Sequence, residues 1–188
     1  MNEQDELFRL MLAVQDSDEA AFSELYDKVV SRVYALAGRI LVNKSDTEEA
    51  VCDVFTQIWQ QAKSYQPEKG SVIAWCMVIT RSRSLDYLRK RKKHTEKIQE
   101  ASEFYEELAD EQCEPDKVVQ MFQENSKVRD ILETLSAIQR QLLALSFFRG
   151  LTHQEIAETT EIPLGTVKSN IRRALEKLQS SQFSLENV

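Results

Sequence analysis

Apolar residues near the start of the chain recur at three- and four-residue steps, the spacing of one helical face. Phe22, Leu25, Tyr26, Val29, Val33, Leu36, Ala37 and Ile40 predict a long helix from Glu19 to Leu41, and Asn43 suits its stop. Ser45 then starts a second helix, with Glu48 at capping-box spacing and Asp46 and Glu49 adding negative charge near the positive end of its dipole. Val51, Val54, Phe55, Ile58, Trp59 and Ala62 form the apolar stripe of that helix. Pro67 and Gly70 mark Ser64 to Ser71 as a loop. A third helix runs from about Val72 to Lys93, with Val72, Trp75, Cys76, Ile79, Leu85 and Leu88 inward and a basic run at Arg89, Lys90, Arg91, Lys92 and Lys93.

Periodicity fades over residues 96–115 and then returns. Val118, Val119 and Phe122, then Val128, Ile131, Leu132 and Leu135, predict a helix or two. Ile138, Leu142, Leu143, Leu145 and Phe148 predict another, stopped at Gly150. Thr152 caps a short helix through Thr159, with Glu155 at capping-box spacing, and Pro163 suits the first turn of a last helix through about Leu178. The expected fold is all-α: two small helical domains, residues 1–95 and 127–188, joined by a flexible linker at 96–126.

Composition supports this pattern. Only 4 Gly and 3 Pro occur in 188 residues, far too few for a turn-rich β protein. No apolar stretch reaches the length of a membrane span, and the acidic N-terminus lacks an apolar signal core, so direct membrane insertion is not expected. Cys52, Cys76 and Cys113 are odd in number and lack CxxC spacing, which argues for reduced thiols in a cytoplasm and against a disulfide framework or zinc site. The net charge is −7, but residues 96–126 alone carry ten acidic and two basic side chains. The flanking domains are therefore close to neutral, and the acidic average does not exclude a nucleic-acid partner.

Three constellations carry candidate chemistry. Residues 151–178 read as a short helix, a tight break and a second helix, with Ile156, Ala157, Ile162, Val167 and Ile171 able to seal a helix-turn-helix core. The outward set is Thr166, Lys168, Ser169, Arg172 and Arg173, small and basic side chains of the kind that approach a DNA major groove. A plain helical hairpin with a solvated basic face fits the same spacing. The basic run at 89–93, with Tyr65, Trp75 and Tyr87 upstream, combines phosphate-tracking charge with stacking faces for a single strand. The competing reading makes Trp75 core and the charges a solvated helix end. Finally, Asp46, Glu49 and Asp53 share one side of their helix, beside Val54, Phe55, Ile58 and Trp59. Those apolar residues are either wholly buried or form part of a docking surface for a basic or helical partner.

In combination these segments resemble the extracytoplasmic-function (group 4) sigma factors of bacterial RNA polymerase. DEAAFSELYDKVVSRVYALAGRIL at 18–41 resembles the opening helix of the sigma-2 domain. DTEEAVCDVFTQIW at 46–59 is similar to the segment that binds the β′ clamp helices. YQPEKGSVIAWCMVITRSRSLDYLRKRKK at 65–93 resembles the segment that melts and reads the −10 element, and IPLGTVKSNIRRALEKL at 162–178 resembles the sigma-4 recognition helix for the −35 element. Three positions depart from the usual pattern: Cys52-Asp53 stands where a Gln-Glu pair is usual, Ser82 where many members have Asn, and Asn170 where Arg is common.

The resemblance implies polymerase-core contacts from Asp46, Glu49, Asp53, Phe55 and Trp59. It implies −10 contacts from Tyr65, Lys69, Trp75, Arg81, Ser82, Arg83, Tyr87, Arg89 and Arg91, and −35 contacts from Thr166, Lys168, Ser169, Arg172 and Arg173. The implied partners are RNA polymerase core (β′ clamp helices and β flap), promoter DNA and an anti-sigma factor, the last because Lys69-Gly70-Ser71-x-x-Ala74-Trp75 matches a subgroup often held by one. No cofactor, metal, small-molecule substrate or catalytic residue is implied. The linker reaches at most roughly 100 Å, and its acids at 96–114 suggest a polyanionic tether attracted to the basic RNA-exit path of a polymerase. Two other readings fit parts of the chain: a stand-alone helix-turn-helix regulator, which would not need the acidic-aromatic face at 46–59, and a helical partner-sequestering adaptor, which would not need Lys168, Arg172 or Arg173.

Overall fold

The computed structural model describes the backbone of residues 3–95 and 126–185, and the side chains of residues 3–91 and 130–178. The expected linker, including Val118, Val119 and Phe122, lies almost wholly outside the described residues. Contacts divide the chain into two units, residues 1–94 and 95–188. Among the described residues every regular element is a helix.

The first unit holds α1 (Glu3–Gln15), α2 (Glu19–Leu41), α3 (Lys44–Gln61) and α4 (Val72–Thr95), with 3₁₀ turns at Ala62–Ser64 and Pro67–Lys69 between α3 and α4. The long predicted helix has the expected bounds. Asp18 caps it, its carboxylate accepting from Ala21 N at 3.0 Å. Val42 closes it at φ 60°, donating to Gly38 O at 3.1 Å. A β-branched residue in that region costs roughly 1–3 kcal/mol, which the packing of α2 on α3 must offset.

The first unit departs from expectation in one helix start and in one additional helix. The second helix begins at Lys44, and its cap is Asn43, whose side chain accepts from Asp46 N at 3.1 Å. Ser45 therefore sits inside the first turn, because the preceding Asn already satisfies an open N–H there. α1 was not anticipated at all, although Leu7, Met11 and Val14 follow helical spacing and are buried.

These three residues join Leu25, Val29, Val33 and Ala37 of α2, Val51, Val54, Phe55 and Ile58 of α3, and Val72, Cys76 and Ile79 of α4 in one core. Each large aliphatic side chain so buried contributes about 1.5–3 kcal/mol relative to exposure. Burial also pushes the Cys76 thiol up to about 12, so it is a small apolar core group and not a reactive one. Glu3–Arg32 and Glu6–Lys28 ion pairs, at 2.8 and 2.9 Å, fix the outer edge of α1 on α2.

The second unit holds α5 (Ser126–Glu133), α6 (Ala137–Phe148), α7 (His153–Thr160) and α8 (Leu164–Leu185). Complete capping boxes start α6 (Ser136 with Gln139) and α7 (Thr152 with Glu155, as expected). Gly150 takes φ 61° after α6, and Glu161 takes φ 56° after α7. Pro163 precedes α8 instead of lying within it, its carbonyl accepting from Thr166 N and Val167 N. α8 also runs past Leu178, the expected end. Leu132, Leu135, Leu142, Leu145, Phe148, Ile156, Val167, Ile171 and Ala174 are buried.

Candidate nucleic-acid and partner interfaces

In the second unit α7 and α8 meet through a tight left-handed corner. Ile156 and Val167 are fully buried across it and Ile171 nearly so, while Ala157 and Ile162 are half-buried. This anchors the first turns of α8 and turns the other side outward. Thr166, Lys168, Arg172 and Arg173 are exposed and Ser169 is half-buried, its hydroxyl donating to Thr166 O at 3.0 Å. Arg172 pairs along the helix with Glu176 at 2.9 Å, a surface pair that a phosphate can replace at little cost. Asn170 donates to Thr166 O at 2.9 Å, so its amide is engaged with its own helix. Every residue expected to face DNA in this unit shares one accessible side of the α8 N-terminal half.

The first unit is less simple. Polar contacts join α3 and α4: Arg91 pairs with Asp46, the Tyr87 hydroxyl donates to Asp53 Oδ2 at 2.9 Å, and Arg83 Nε donates to Gln57 Oε1. Steps of four along α4 thus meet positions 46, 53 and 57 of α3. Burial, followed by the hydrogen bond to Asp53 and the negative charge of Asp53 and Glu49, pushes the Tyr87 phenol above its ordinary range. The resemblance assigned Asp46 and Asp53 to polymerase and Arg83, Tyr87 and Arg91 to DNA. The structure instead pairs members of the two sets with one another.

Other placements also differ. Phe55 is 5% exposed, its ring against Tyr26 (4.4 Å) and Phe22 (6.4 Å), so it supports a surface more than it presents one. Tyr65 is 6% exposed, edge-on to Trp75 at 5.8 Å. Its ring is occupied in the core, and the expectation that it stacks on a base is corrected. Trp75 and Arg81 are half-buried, and burial, then the charge of Arg89, lowers the Arg81 guanidinium from its ordinary value. Lys69, Ser82 and Arg89 are exposed.

Sequence reasoning missed two features. Ala74, Val78 and Ser82, at four-residue steps on α4, form an exposed strip, with Val78 68% exposed. An apolar residue in a helix defaults to core, so only the neighbours' small size hinted otherwise. Second, Glu19, Phe22, Tyr26, Val51, Cys52, Phe55, Thr56 and Trp59 line an open, largely apolar groove of about 610 Å³ between α2 and α3. Trp59 lies half-buried on Phe22, with ring centroids 5.0 Å apart. Glu49 and Asp53, both exposed, lie on the same helix as this aromatic wall.

The two units match, in chain order, the family models described as Sigma-70 region 2, at residues 25–94, and Sigma-70, region 4, at residues 126–178. Fold and surfaces together define a transcription initiation factor of the sigma-70 class. The chain is 37% identical over 172 residues to the ECF RNA polymerase sigma factor RpoE of Cereibacter sphaeroides, covering 90% of this chain and 91% of that protein. It is 31% identical to the ECF RNA polymerase sigma factor SigK of Mycobacterium sp. (strain KMS), over 91% of this chain and 88% of the relative. The structure of Rhodobacter sphaeroides SigE in complex with the anti-sigma ChrR aligns with a TM-score of 0.49 at 31% identity, over 95% of this chain and 99% of that one. The chain belongs to the ECF family of RNA polymerase sigma factors. It is an alternative sigma factor that gives polymerase core its promoter specificity, a regulatory initiation factor. No described helix is long and apolar enough to cross a membrane.

Proposed function

We propose that residues 1–95 form the domain that docks on polymerase core and opens the −10 element, and that residues 127–188 read the −35 element. The observation that carries this is the α7–α8 corner: Ile156 and Val167 are fully buried while Thr166, Lys168, Arg172 and Arg173 stay in the open. A plain hairpin would bury the same apolar residues, and the match of residues 126–178 to Sigma-70, region 4 is what favours DNA for the exposed set. Major-groove entry by the first turns of α8 gives these residues base edges and phosphates, each good base contact being worth about 1–3 kcal/mol of discrimination.

In the first unit, the surface offered to the polymerase clamp helices is Glu49, Asp53 and Trp59 with the aromatic groove behind them, and Phe55 acts as its support. The −10 strand is offered Lys69, the edge of Trp75, Arg81, Ser82 and Arg89. Val78 adds an apolar contact in the middle of that surface. Arg83, Tyr87 and Arg91 serve through their bonds to α3. Reduced Cys52 and Cys76 suit a cytoplasmic protein. An anti-sigma factor that covers the aromatic groove would block core docking.

Run-off transcription on a genomic fragment library, with purified core polymerase and the full chain, tests the proposal. Promoter-specific starts that appear with the wild type and lose −35 dependence with Arg172→Ala/Arg173→Ala are expected. A folded wild-type chain that confers no specific starts would refute it.

A further inference from the structure

The loop between α3 and α4 is held by contacts that neither polymerase docking nor DNA charge requires. Gln15, the last residue of α1, spans to it. Its side-chain nitrogen donates to Ala62 O at 3.0 Å and to Tyr65 O at 3.4 Å. Both acceptors are backbone carbonyls, so the amide nitrogen, not its oxygen, must face them. α1 lies outside residues 25–94, the part matched by the region 2 family model.

The same loop is latched from within. The Tyr65 hydroxyl donates to Gly70 O at 3.1 Å, while its ring packs against Trp75. Lys69 N and Gly70 N close short turns onto Gln66 O and Pro67 O at 3.0 and 3.2 Å. Gly70 takes φ 141°, where a Cβ would meet nothing nearer than Ala74 Cβ at 3.8 Å, so backbone sign and not space selects glycine. Ser71 Oγ then accepts from Ala74 N at 3.2 Å at the start of α4. Residues 66–70 therefore form a lip of one defined shape beside Trp75. Its root is tied to α1 and its tip to Tyr65.

We infer that Gln15 and Tyr65 are positioning residues for −10 readout: they fix the lip so that Lys69, Trp75 and the strip Ala74, Val78 and Ser82 meet the DNA strand in one geometry. This rests on the proposed −10 role of the first unit. The physical reason is preorganisation. A lip that samples several shapes must be ordered when DNA binds, and it can reshape around the wrong base, so discrimination falls more than total binding does.

The test uses holoenzyme assembled from core polymerase and the full chain. Forked DNA probes carrying a fixed −35 duplex and a randomised −10 strand are captured and sequenced. The variants are Gln15→Glu, which keeps size but loses the donor, Gln15→Ala, and Tyr65→Phe, which keeps the packed ring and removes the hydroxyl. Enrichment of the preferred over the least preferred −10 bases should fall about three- to tenfold in each, the scale of one net hydrogen bond. Core affinity should stay within about twofold. Gln15→Glu combined with Tyr65→Phe should lose no more than the worse single variant, because both act on one loop.

A purely structural role would lower the melting temperature and the active fraction while leaving the ratio among bases unchanged. That result, in variants of a discriminating wild type, overturns the inference. A wild-type holoenzyme with no −10 base preference would instead remove the reading beneath it, and the inference with it.

Discussion

Replacing Ile156 with alanine should unfold the second unit and spare the first. Ile156 is fully buried where α7 meets α8, and loss of such a side chain costs about 2–5 kcal/mol through lost transfer energy and the cavity left behind. A helical domain of this size rarely holds more than about 3–5 kcal/mol in total. A loss of ~3 kcal/mol therefore removes most of its stability and lowers its midpoint by roughly 12–24 °C. The molecule supplies its own reporter. Both tryptophans, Trp59 and Trp75, lie in the first unit, so their emission is silent on the second, whereas far-UV circular dichroism follows helices in both. Melting should show an early loss of ellipticity in Ile156→Ala with the tryptophan transition within a degree or so of wild type. Ile156→Val, expected to cost about 0.5–1.5 kcal/mol, should fall between. If tryptophan emission moved with ellipticity, the units would share one cooperative transition. If neither moved, Ile156 would not be the keystone of the corner.

Three further outcomes are expected. In a double-mutant cycle on promoter opening by holoenzyme, Asp53→Asn and Tyr87→Phe should be non-additive by about 0.5–1.5 kcal/mol, because the two side chains share one bond; strict additivity would show that the bond contributes nothing. Arg32 donates a hydrogen bond to Glu3 and holds its carboxyl below the ordinary range. A depressed folded value means that this contribution is present above the unfolded value and lost as pH falls through the folded one. The wild type and Glu3→Gln should therefore differ in urea midpoint at neutral pH and converge in acid. Peptide mapping after brief alkylation at neutral pH should find Cys52, which is exposed, modified and Cys76 protected until the chain unfolds; early loss of the Cys76 thiol would contradict its place in the core.

Apart from α1, the helices of both units were legible because their apolar spacing coincides with burial. Val29, Val33, Ile156, Val167 and Ile171 were read as inward and are inward. The capping box at Thr152 was legible because its geometry is local. Asn43 was misread because an Asn after an apolar run serves as a stop or as the next helix's cap with equal local sense. The site was less legible than the fold. Tyr65, Arg83, Tyr87 and Arg91 have the side chains a nucleic-acid surface uses, but their partners are 5 to 45 residues away in sequence. No local pattern encodes such distances. Val78 went unread for the opposite reason: it lies off the inward face, and that an apolar residue there stands 68% exposed is seen only in the packed structure. On α8 the residues read as outward are accessible, Ser169 partly so, because the first turns of one helix supply the whole surface.

The polar contacts between α3 and α4 also constrain how such a protein can change over generations. Asp46 with Arg91, Asp53 with Tyr87 and Gln57 with Arg83 each tie the helix proposed to meet polymerase, α3, to the helix proposed to meet the −10 strand, α4. A substitution that adapts α3 to an altered polymerase surface strands a donor on α4 unless the partner changes as well. The two helices should therefore drift in matched pairs, position 53 with 87 and 46 with 91, and a lineage that acquires a new promoter preference through α4 should carry its signature on α3.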